Sequence, residues 1–311
     1  MKNIKILVTG CAGFIGSHVC ENLLKTTNYI IYGIDNLDPY YDVKLKRKNI
    51  DILLNYSNFK FIEEDIVNTK IINEIIFDKI IHLASMAGVR YSIENPQKYI
   101  DVNVKGFINI LEQCVKTNKP HIVYASSSSV YGMNKKIPFS EEDKIESCNS
   151  PYACSKLMME VLAKTYNQIY GLTSIGLRFF TVYGPRGRPD MAPRKFMEAI
   201  ASGNTINKYG DGNTYRDYTY IDDIVSGILS AMYNSSNCQY ELINLGNSNP
   251  ITLNKFIKTC EEVTGKTALI NYMGDQKGDV PFTHADISKA KKLLGYNPKT
   301  TLFEGLRHIL K

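Results

Sequence analysis

The sequence predicts an α/β protein in which a doubly wound parallel sheet is joined to a smaller C-terminal lobe. Two observations in the first half of the chain predict the sheet: short, nearly continuous apolar runs alternate with amphipathic stretches, and a glycine loop directly follows the first run. Continuous apolar runs are typical of parallel strands buried on both faces, and their alternation with helices is typical of a doubly wound sheet.

The elements follow one another in a regular order along the chain. The predicted strands are Ile4 to Val8, Ile30 to Ile34, Phe59 to Ile62, Ile80 to Leu83 and Ile122 to Ala125, with a sixth near Ser174 to Leu177. The predicted helices are Phe14 to Lys25, Tyr99 to Lys116, Pro151 to Tyr170, Asn254 to Thr264 and Ile287 to Leu294. After Thr181, loop signals such as Gly210-Asp211-Gly212-Asn213 become frequent. We therefore expect residues 1–180, with returns near 215–230, to form the first domain and residues 181–311 to form mainly the lobe.

Composition excludes several classes of protein. The chain of 311 residues has 44% hydrophobic and 22% charged residues, no window of eighteen apolar residues and no signal-peptide pattern, so we expect a cytoplasmic protein without a membrane span. The net charge of +6 is too small and dispersed to indicate nucleic-acid binding, and Lys44-x-Lys46-Arg47-Lys48 is predicted to be a solvated helix face. The seven cysteines lack metal-ligand spacing, so no metal is expected.

A cofactor site is predicted at the first strand. Gly10-x-x-Gly13-x-x-Gly16 follows that strand and opens a helix, where the glycines permit a tight turn and the helix N-terminus attracts phosphates. Asp35 ends the second strand, where its carboxylate can accept hydrogen bonds from an adenosine ribose and would repel a 2′-phosphate. The sequence therefore predicts a Rossmann domain that binds NAD rather than NADP.

A catalytic group is predicted beside the cofactor. Tyr152-x-x-x-Lys156 places a phenol and an ammonium one turn apart on the same helix face, and a nearby positive charge lowers the pKa of a tyrosine toward working pH. The run Ser126 to Ser129 follows the fifth strand, at the carboxyl edge of the sheet where ligands bind. A serine hydroxyl there can share a hydrogen bond with the substrate oxygen that Tyr152 deprotonates.

Together these motifs resemble the extended short-chain dehydrogenases/reductases that modify nucleotide sugars. The resemblance also rests on Asp65-Ile66 and His82-Leu83-Ala84, and it covers nearly the whole chain. It implies that Ser127, Tyr152 and Lys156 are catalytic and that Asn103 supports the site. It further implies a set of cofactor-binding residues: Gly10, Gly13, Phe14, Ile15, Gly16, Asp35, Asn36, Asp65, Ile66, Leu83, Ala84, Tyr124, Tyr152 and Lys156.

The resemblance also indicates the reaction. Members of this family oxidise the sugar at C4, and those that eliminate or decarboxylate have acidic residues directly after the catalytic serine. Here those positions are Ser128 and Ser129, which cannot act as a carboxylic acid or carboxylate. The pattern therefore favours C4 epimerisation through a 4-keto sugar over dehydration.

Three segments resemble UDP-glucuronate 4-epimerases more closely than UDP-galactose 4-epimerases. They are Asp38 to Asp42, Met86 to Ser92, and Thr181 to Met191. An arginine fork suits a carboxylate, so Arg188, assisted by Thr181 and with Arg186 second, is the predicted uronate partner. Arg216 resembles the diphosphate-binding arginine of the family, and Asp279 the acid that holds the uridine ribose. The full predicted substrate set is Arg90, Ser127, Ser128, Thr181, Arg186, Arg188, Arg216 and Asp279.

Alternatives remain open at this point. The substrate could be UDP-glucose, UDP-galactose or a UDP-N-acetylhexosamine, since Gly187 stands where related enzymes usually have a larger polar residue and could alter the range of sugars. Gln276 stands where the galactose enzymes have a diphosphate-binding arginine, a departure that the uronate enzymes share. A non-catalytic nucleotide-sensing module and an oxidoreductase that releases NADH are further readings, because a fold alone does not establish chemistry. Relatives of this kind dimerise through two helices per subunit, so the resemblance implies a homodimer formed through Tyr99 to Lys116 and Pro151 to Tyr170.

Overall fold

The computed structural model describes residues 4–234, 239–274 and 280–310. Its strands are β1 (Lys5–Thr9), β2 (Ile30–Asp35), β3 (Phe59–Glu63), β4 (Lys79–His82), β5 (His121–Ser127), β6 (Ser174–Phe179), β7 (Thr181–Tyr183), β8 (Thr205–Tyr209), β9 (Tyr215–Arg216), β10 (Tyr218–Tyr220), β11 (Tyr240–Leu245), β12 (Ile251–Thr252) and β13 (Leu269–Met273). Its α-helices are α1 (Phe14–Thr26), α2 (Val43–Leu54), α3 (Ile71–Glu74), α4 (Val89–Glu94), α5 (Pro96–Tyr99), α6 (Gly106–Lys116), α7 (Pro151–Tyr170), α8 (Ala192–Ser202), α9 (Ile221–Tyr233), α10 (Leu253–Thr264), α11 (Ser288–Leu294) and α12 (Leu302–Arg307).

A seven-stranded parallel sheet in the order β11-β6-β5-β4-β1-β2-β3 organises the molecule. Successive side chains of a strand point to opposite faces, and on β1 Ile6 and Val8 join one apolar cluster whereas Leu7 joins the other. Residues of α1 and α9 complete the first cluster, and residues of α6 and α7 complete the second. The predicted fold class, a doubly wound parallel sheet, is therefore confirmed.

Helix α7 has the bounds that the sequence predicts, because its ends are chemically marked. The Ser150 side chain accepts a hydrogen bond from the Ala153 amide, and Pro151 occupies the first turn. Gly171 follows in the left-handed conformation with φ of 67°. The predicted helix from Tyr99 to Lys116 is less regular: it begins in α5, passes through a π-helical segment, Ile100–Lys105, and continues as α6.

The second half of the chain contributes both to the sheet and to a separate layer. Strand β11, which the sequence analysis missed, pairs with β6 at the edge of the main sheet. Three two-stranded pairs, β10-β7, β12-β9 and β13-β8, lie outside it. Among the described residues, no helix is long and apolar enough to cross a membrane.

Candidate cofactor and substrate site

A cavity of about 910 Å³ lies at the carboxyl ends of the parallel strands. Residues that follow β1, β2, β4 and β5 line it on one side, and residues of the second half, from Phe179 to Pro281, line it on the other. In open α/β sheets, ligands bind in the crevice at this edge of the strands. The cavity is therefore the candidate site for the cofactor and the substrate.

The glycine loop at this edge leaves no room for side chains. Gly10 has φ of +73°, and a Cβ there would lie 2.7 Å from the Ala84 backbone nitrogen. A Cβ on Gly16 would lie 2.1 Å from the Gly10 carbonyl oxygen. Helix α1 begins at Phe14, and no side chain caps its N-terminus. The loop and the uncapped helix end fit the pyrophosphate of a dinucleotide such as NAD.

Asp35 ends β2 and is held by backbone groups. Its carboxylate accepts hydrogen bonds from the amides of Ala12, at 3.1 Å, and Leu37, at 2.8 Å. The Lys46 ammonium lies 3.8 Å from the same carboxylate and also lines the cavity. Burial raises the pKa of Asp35, while Lys46 and the two amides oppose that rise. The Asp35 carboxylate, with Lys46 beside it, fits a site that binds ribose hydroxyls.

The position of Lys46 corrects one sequence-based prediction. The basic cluster around it is predicted to be a solvated helix face, but Lys46 is only 8% exposed. Its ammonium lies over the Tyr41 ring, 5.1 Å from the ring centroid. The buried Asp35 carboxylate supplies the counter-charge that makes burial of this one lysine possible. Nothing in the spacing of the cluster distinguishes Lys46 from its neighbours.

Most of the predicted cofactor residues line the cavity: Gly10, Gly13, Phe14, Ile15, Gly16, Asp35, Asn36, Asp65, Ile66, Leu83, Ala84, Tyr152 and Lys156. Tyr124 does not, and the prediction that it lines the cofactor cleft is wrong. It is fully buried in the second apolar cluster and packs against Phe107, with ring centroids 5.1 Å apart. Its neighbour Ala125 lines the cavity instead, because successive strand residues face opposite sides.

All three predicted catalytic residues line the cavity. Ser127 lies beside the Tyr152 phenol, and its hydroxyl donates a hydrogen bond to the Ser129 hydroxyl at 3.2 Å. Burial raises the pKa of Tyr152, whereas hydrogen bonding with Ser127 and the Arg188 charge lower it. Behind them Asn103 is fully buried, and its amide nitrogen donates to the Ser155 hydroxyl at 2.9 Å. The Tyr152 phenol therefore interacts with both the Ser127 hydroxyl and the positive charge of Arg188.

Lys156 is held below this group. It is 2% exposed, and its ammonium donates a hydrogen bond to the Ala125 carbonyl at 2.7 Å. Burial lowers the pKa of Lys156 to about 7, and the Glu160 carboxylate opposes that shift. Glu160 itself forms a buried bidentate ion pair with Arg178 and accepts a hydrogen bond from Ser126 at 2.5 Å.

The cavity is also lined by further residues of the predicted substrate set: Arg90, Ser128, Thr181, Arg188 and Arg216. The Arg188 side chain is 16% exposed and pairs with Asp190, and its Nη2 also donates to the Tyr40 hydroxyl at 3.2 Å. Asp190 and Tyr40 line the cavity as well. Both residues lie in the segments that resemble UDP-glucuronate 4-epimerases, but no spacing within those segments distinguishes them from their neighbours.

Of the described members of the predicted substrate set, Arg186 does not line this cavity. Arg186 has φ of +59°, and its guanidinium pairs with Glu21 of α1. It lines a separate cavity of about 280 Å³ behind the loop, so its assignment as a second carboxylate partner in the main cavity is wrong. Asp279 and its neighbour Gln276 lie outside the described residues.

Comparison with known proteins agrees with this geometry. A family model described as GDP-mannose 4,6 dehydratase matches residues 7–309. UDP-glucuronate 4-epimerase 4 of Arabidopsis thaliana is 44% identical over 100% of this chain and 75% of its own length. The crystal structure of UDP-glucuronic acid 4-epimerase from Bacillus cereus in complex with UDP-glucuronic acid and NAD is 38% identical, with a TM-score of 0.94 over 98% of this chain and 97% of that one. UDP-glucose 4-epimerase of Thermotoga maritima, with UDP-glucose, is 32% identical, with a TM-score of 0.89 over 99% and 97% of the two chains.

Proposed function

The chain belongs to the extended short-chain dehydrogenase/reductase family whose model is described as GDP-mannose 4,6 dehydratase, and we propose that it is an NAD-dependent UDP-glucuronate 4-epimerase. The proposed reaction interconverts UDP-glucuronate and UDP-galacturonate through a 4-keto sugar. Its relatives in Arabidopsis thaliana and Bacillus cereus carry this activity in their names. The observation that carries the substrate assignment is Arg188, a guanidinium that lines the cavity within electrostatic reach of Tyr152.

Each residue of the central group has a role in this proposal. Tyr152 takes the proton of the sugar 4-hydroxyl and returns it, while Ser127 holds the same oxygen through a hydrogen bond. Lys156, which is buried and lines the cavity, would hold the ribose next to the nicotinamide. NAD, when bound, supplies a nicotinamide that accepts a hydride from C4 and gives it back to the opposite face.

Epimerisation is favoured over dehydration by the residues after Ser127. Elimination across C5–C6 needs an acid and a base next to the sugar. Ser128 and Ser129 line the cavity at these positions, and an alcohol is neither a carboxylic acid nor a carboxylate. The 4-keto sugar would therefore keep its C6 group and be reduced again at C4.

One observation favours a second candidate, a 4-epimerase of neutral UDP-hexoses. Arg188 is paired with Asp190, so the pair has no net charge. Such a pair attracts a carboxylate less strongly than a free guanidinium and tolerates a hydroxymethyl group better. The similarity to the UDP-glucose 4-epimerase of Thermotoga maritima is consistent with this candidate.

An assay with separate substrates tests the proposal. The purified protein with NAD is incubated with UDP-glucuronate or with UDP-galactose, and the products are identified by proton NMR. We expect UDP-galacturonate to form and the neutral sugar to react at least about tenfold more slowly. Conversion of the neutral sugar alone would contradict the uronate assignment. Tyr152→Phe is the control, since it removes the base while preserving the ring.

We extend the proposal to assembly, organisation and location. Met158, Val161 and Ile169 of α7 are 47%, 59% and 64% exposed and lie along one helix face, which suits a homodimer formed through this helix. We expect light scattering to give a dimer mass that Val161→Glu reduces to a monomer mass; a monomeric wild type would contradict the dimer.

Residues 1–180, with returns near 215–230, are proposed to bind NAD and residues 181–311 mainly the UDP-sugar. The six described cysteines are free thiols, which suits the cytosol.

A further inference from the structure

Asp190 and Tyr40 surround the guanidinium of Arg188, and we propose that they are positioning residues for substrate selection. In this proposal they fix Arg188 so that one nitrogen, Nη1, is presented to a carboxylate on the sugar. The inference rests on the proposed uronate function and deepens it. It assigns the selection to a three-residue cluster, Tyr40, Arg188 and Asp190, hereafter the arginine clamp.

The hydrogen bonds of the arginine clamp use two of the three guanidinium nitrogens. Arg188 Nε donates to Asp190 Oδ1 at 3.0 Å, and Nη2 donates to Asp190 Oδ2 at 2.6 Å. Nη2 also donates to the Tyr40 hydroxyl at 3.2 Å, and that hydroxyl donates to Asp190 Oδ2 at 3.0 Å. Nε has one N–H and Nη2 has two, so all three of these donors are satisfied.

Packing restricts the same group further. The Arg188 guanidinium carbon lies over the Tyr40 ring, 5.1 Å from its centroid, and that ring in turn packs against Tyr91 at 4.8 Å. At Gly88, a Cβ would lie 3.3 Å from Nη2. The guanidinium is therefore enclosed on one side by a ring and on another by backbone.

The third guanidinium nitrogen of Arg188, Nη1, has no hydrogen bond to any residue that the structure describes. Arg188 also lines the cavity. A sugar carboxylate would thus be met by a single nitrogen rather than by the full fork. A free arginine side chain loses rotamer entropy when it binds a ligand, and the clamp removes most of that entropy before the substrate binds. Since Asp190 neutralises the net charge, orientation, rather than charge alone, gives the pair its preference for a carboxylate.

Binding measurements separate this positioning role from the role of Arg188 itself. Dissociation constants for UDP-glucuronate and for UDP are measured by calorimetry in the NAD-loaded wild type, Asp190→Ala, Tyr40→Phe and Arg188→Ala. Asp190→Ala frees the Arg188 side chain, and the rotamer entropy that substrate binding must then remove outweighs the gain in net positive charge, so we expect at least about tenfold weaker binding of UDP-glucuronate, with binding of UDP changed less than about twofold. Tyr40→Phe, which keeps the ring, is expected to lose about threefold.

The outcomes distinguish the two proposals. If Arg188→Ala loses selectivity for UDP-glucuronate over UDP but Asp190→Ala binds as the wild type does or more tightly, the clamp is refuted and the uronate function stands. If Arg188→Ala keeps the wild-type preference, the carboxylate anchor fails and the clamp fails with it. Glu198→Ala is the matched control, because it breaks a neighbouring ion pair, Arg194–Glu198, that does not include Arg188. Circular dichroism of each variant verifies folding, and partial recovery in Asp190→Asn would support the role of the Oδ1 acceptor.

Discussion

Tyr152 is the residue on which the proposed chemistry depends, and its surroundings decide whether it can act as a base. Burial raises its pKa, and the groups that lower it are the Ser127 hydroxyl and the Arg188 charge. The sequence spacing predicts that Lys156 has this effect, but the Lys156 ammonium donates a hydrogen bond to the Ala125 carbonyl instead. The residue proposed to select a uronate therefore also favours the phenolate, so selection and catalysis are electrostatically linked.

Lys156 makes the stability of the ligand-free protein depend on pH. Its pKa is lowered by burial to about 7, against an ordinary value of 10.5. Between these values the unfolded chain binds a proton that the folded chain does not, so the free energy of unfolding rises with pH across this window. From pH 7 to pH 9 we expect the wild type to gain about 2 kcal/mol more than Lys156→Met, measured by urea unfolding.

The exposed Lys116 provides the control for this measurement, since its side chain is 67% exposed. Lys116→Met should change with pH as the wild type does. Equal gains for the wild type and Lys156→Met would mean that Lys156 is charged in the folded protein at pH 9.

At single residues, sequence reasoning finds the type of chemistry more readily than the direction of each side chain. Arg186 and Arg188 stand two positions apart in one loop, and either could meet a carboxylate. The loop conformation directs Arg188 into the cavity and Arg186 to Glu21, which is 165 residues away in sequence. The burial of Lys46 is equally hard to predict from the sequence, because its partner carboxylate, Asp35, lies on another element.

At the scale of elements, α7 links the catalytic group to the sheet. Tyr152, Lys156 and Glu160 follow one another at intervals of four residues and share one helix face. Glu160 and Arg178, each 2% exposed, form an ion pair between α7 and β6. Ser126 on β5 donates to the same carboxylate at 2.5 Å, so one buried acid joins three elements directly around the site.

Removing the charge of Glu160 should therefore lower the free energy of unfolding much more than removing the charge of an exposed acid does. Glu160→Gln leaves the Arg178 guanidinium buried without a counter-charge, and we expect a loss of about 3–5 kcal/mol in the free energy of unfolding. Glu63→Gln breaks an exposed pair with Arg47, whose side chains are 58% and 51% exposed, and should cost less than about 1 kcal/mol. Urea unfolding of both variants makes the comparison, and similar losses would show that the buried pair is not electrostatically important.

Elements with marked ends are predictable from sequence, and elements defined by partners are not. Pro151 and Gly171 mark α7, and its bounds match the prediction. Strand β11 was missed because Glu241 and Asn244 interrupt its apolar pattern; Asn244 is nevertheless fully buried, and its amide donates to the Phe139 carbonyl at 2.9 Å. That compensation comes from a distant loop, so the local pattern cannot reveal it.

At the scale of the whole molecule, the sheet order explains where the cavity lies. The chain passes from β3, at one edge, back to β4 beside β1, so connections leave β1 and β4 in opposite directions. The Gly10 loop follows β1 and Ala84 follows β4, and both line the cavity. Such a switch point is where open α/β sheets bind ligands. The alternating sequence pattern predicts this side of the site, whereas the opposite side is lined by residues from the second half of the chain, where the pattern is less regular.

Because the cavity is lined by both halves of the chain, ligands for each end should stabilise the protein separately. A ligand at one hundred times its dissociation constant adds about 2.7 kcal/mol to the free energy of unfolding. We expect NAD and UDP each to raise the melting temperature of the wild type in calorimetry.

Gly16→Ala should abolish the NAD increment and keep that of UDP, since a Cβ would lie 2.1 Å from the Gly10 carbonyl oxygen. Arg216→Ala should do the reverse, because Arg216 lines the lobe side. If either variant lost both increments, the two ends would not be independent sites, and NAD and the UDP-sugar would have to bind as one cooperative unit.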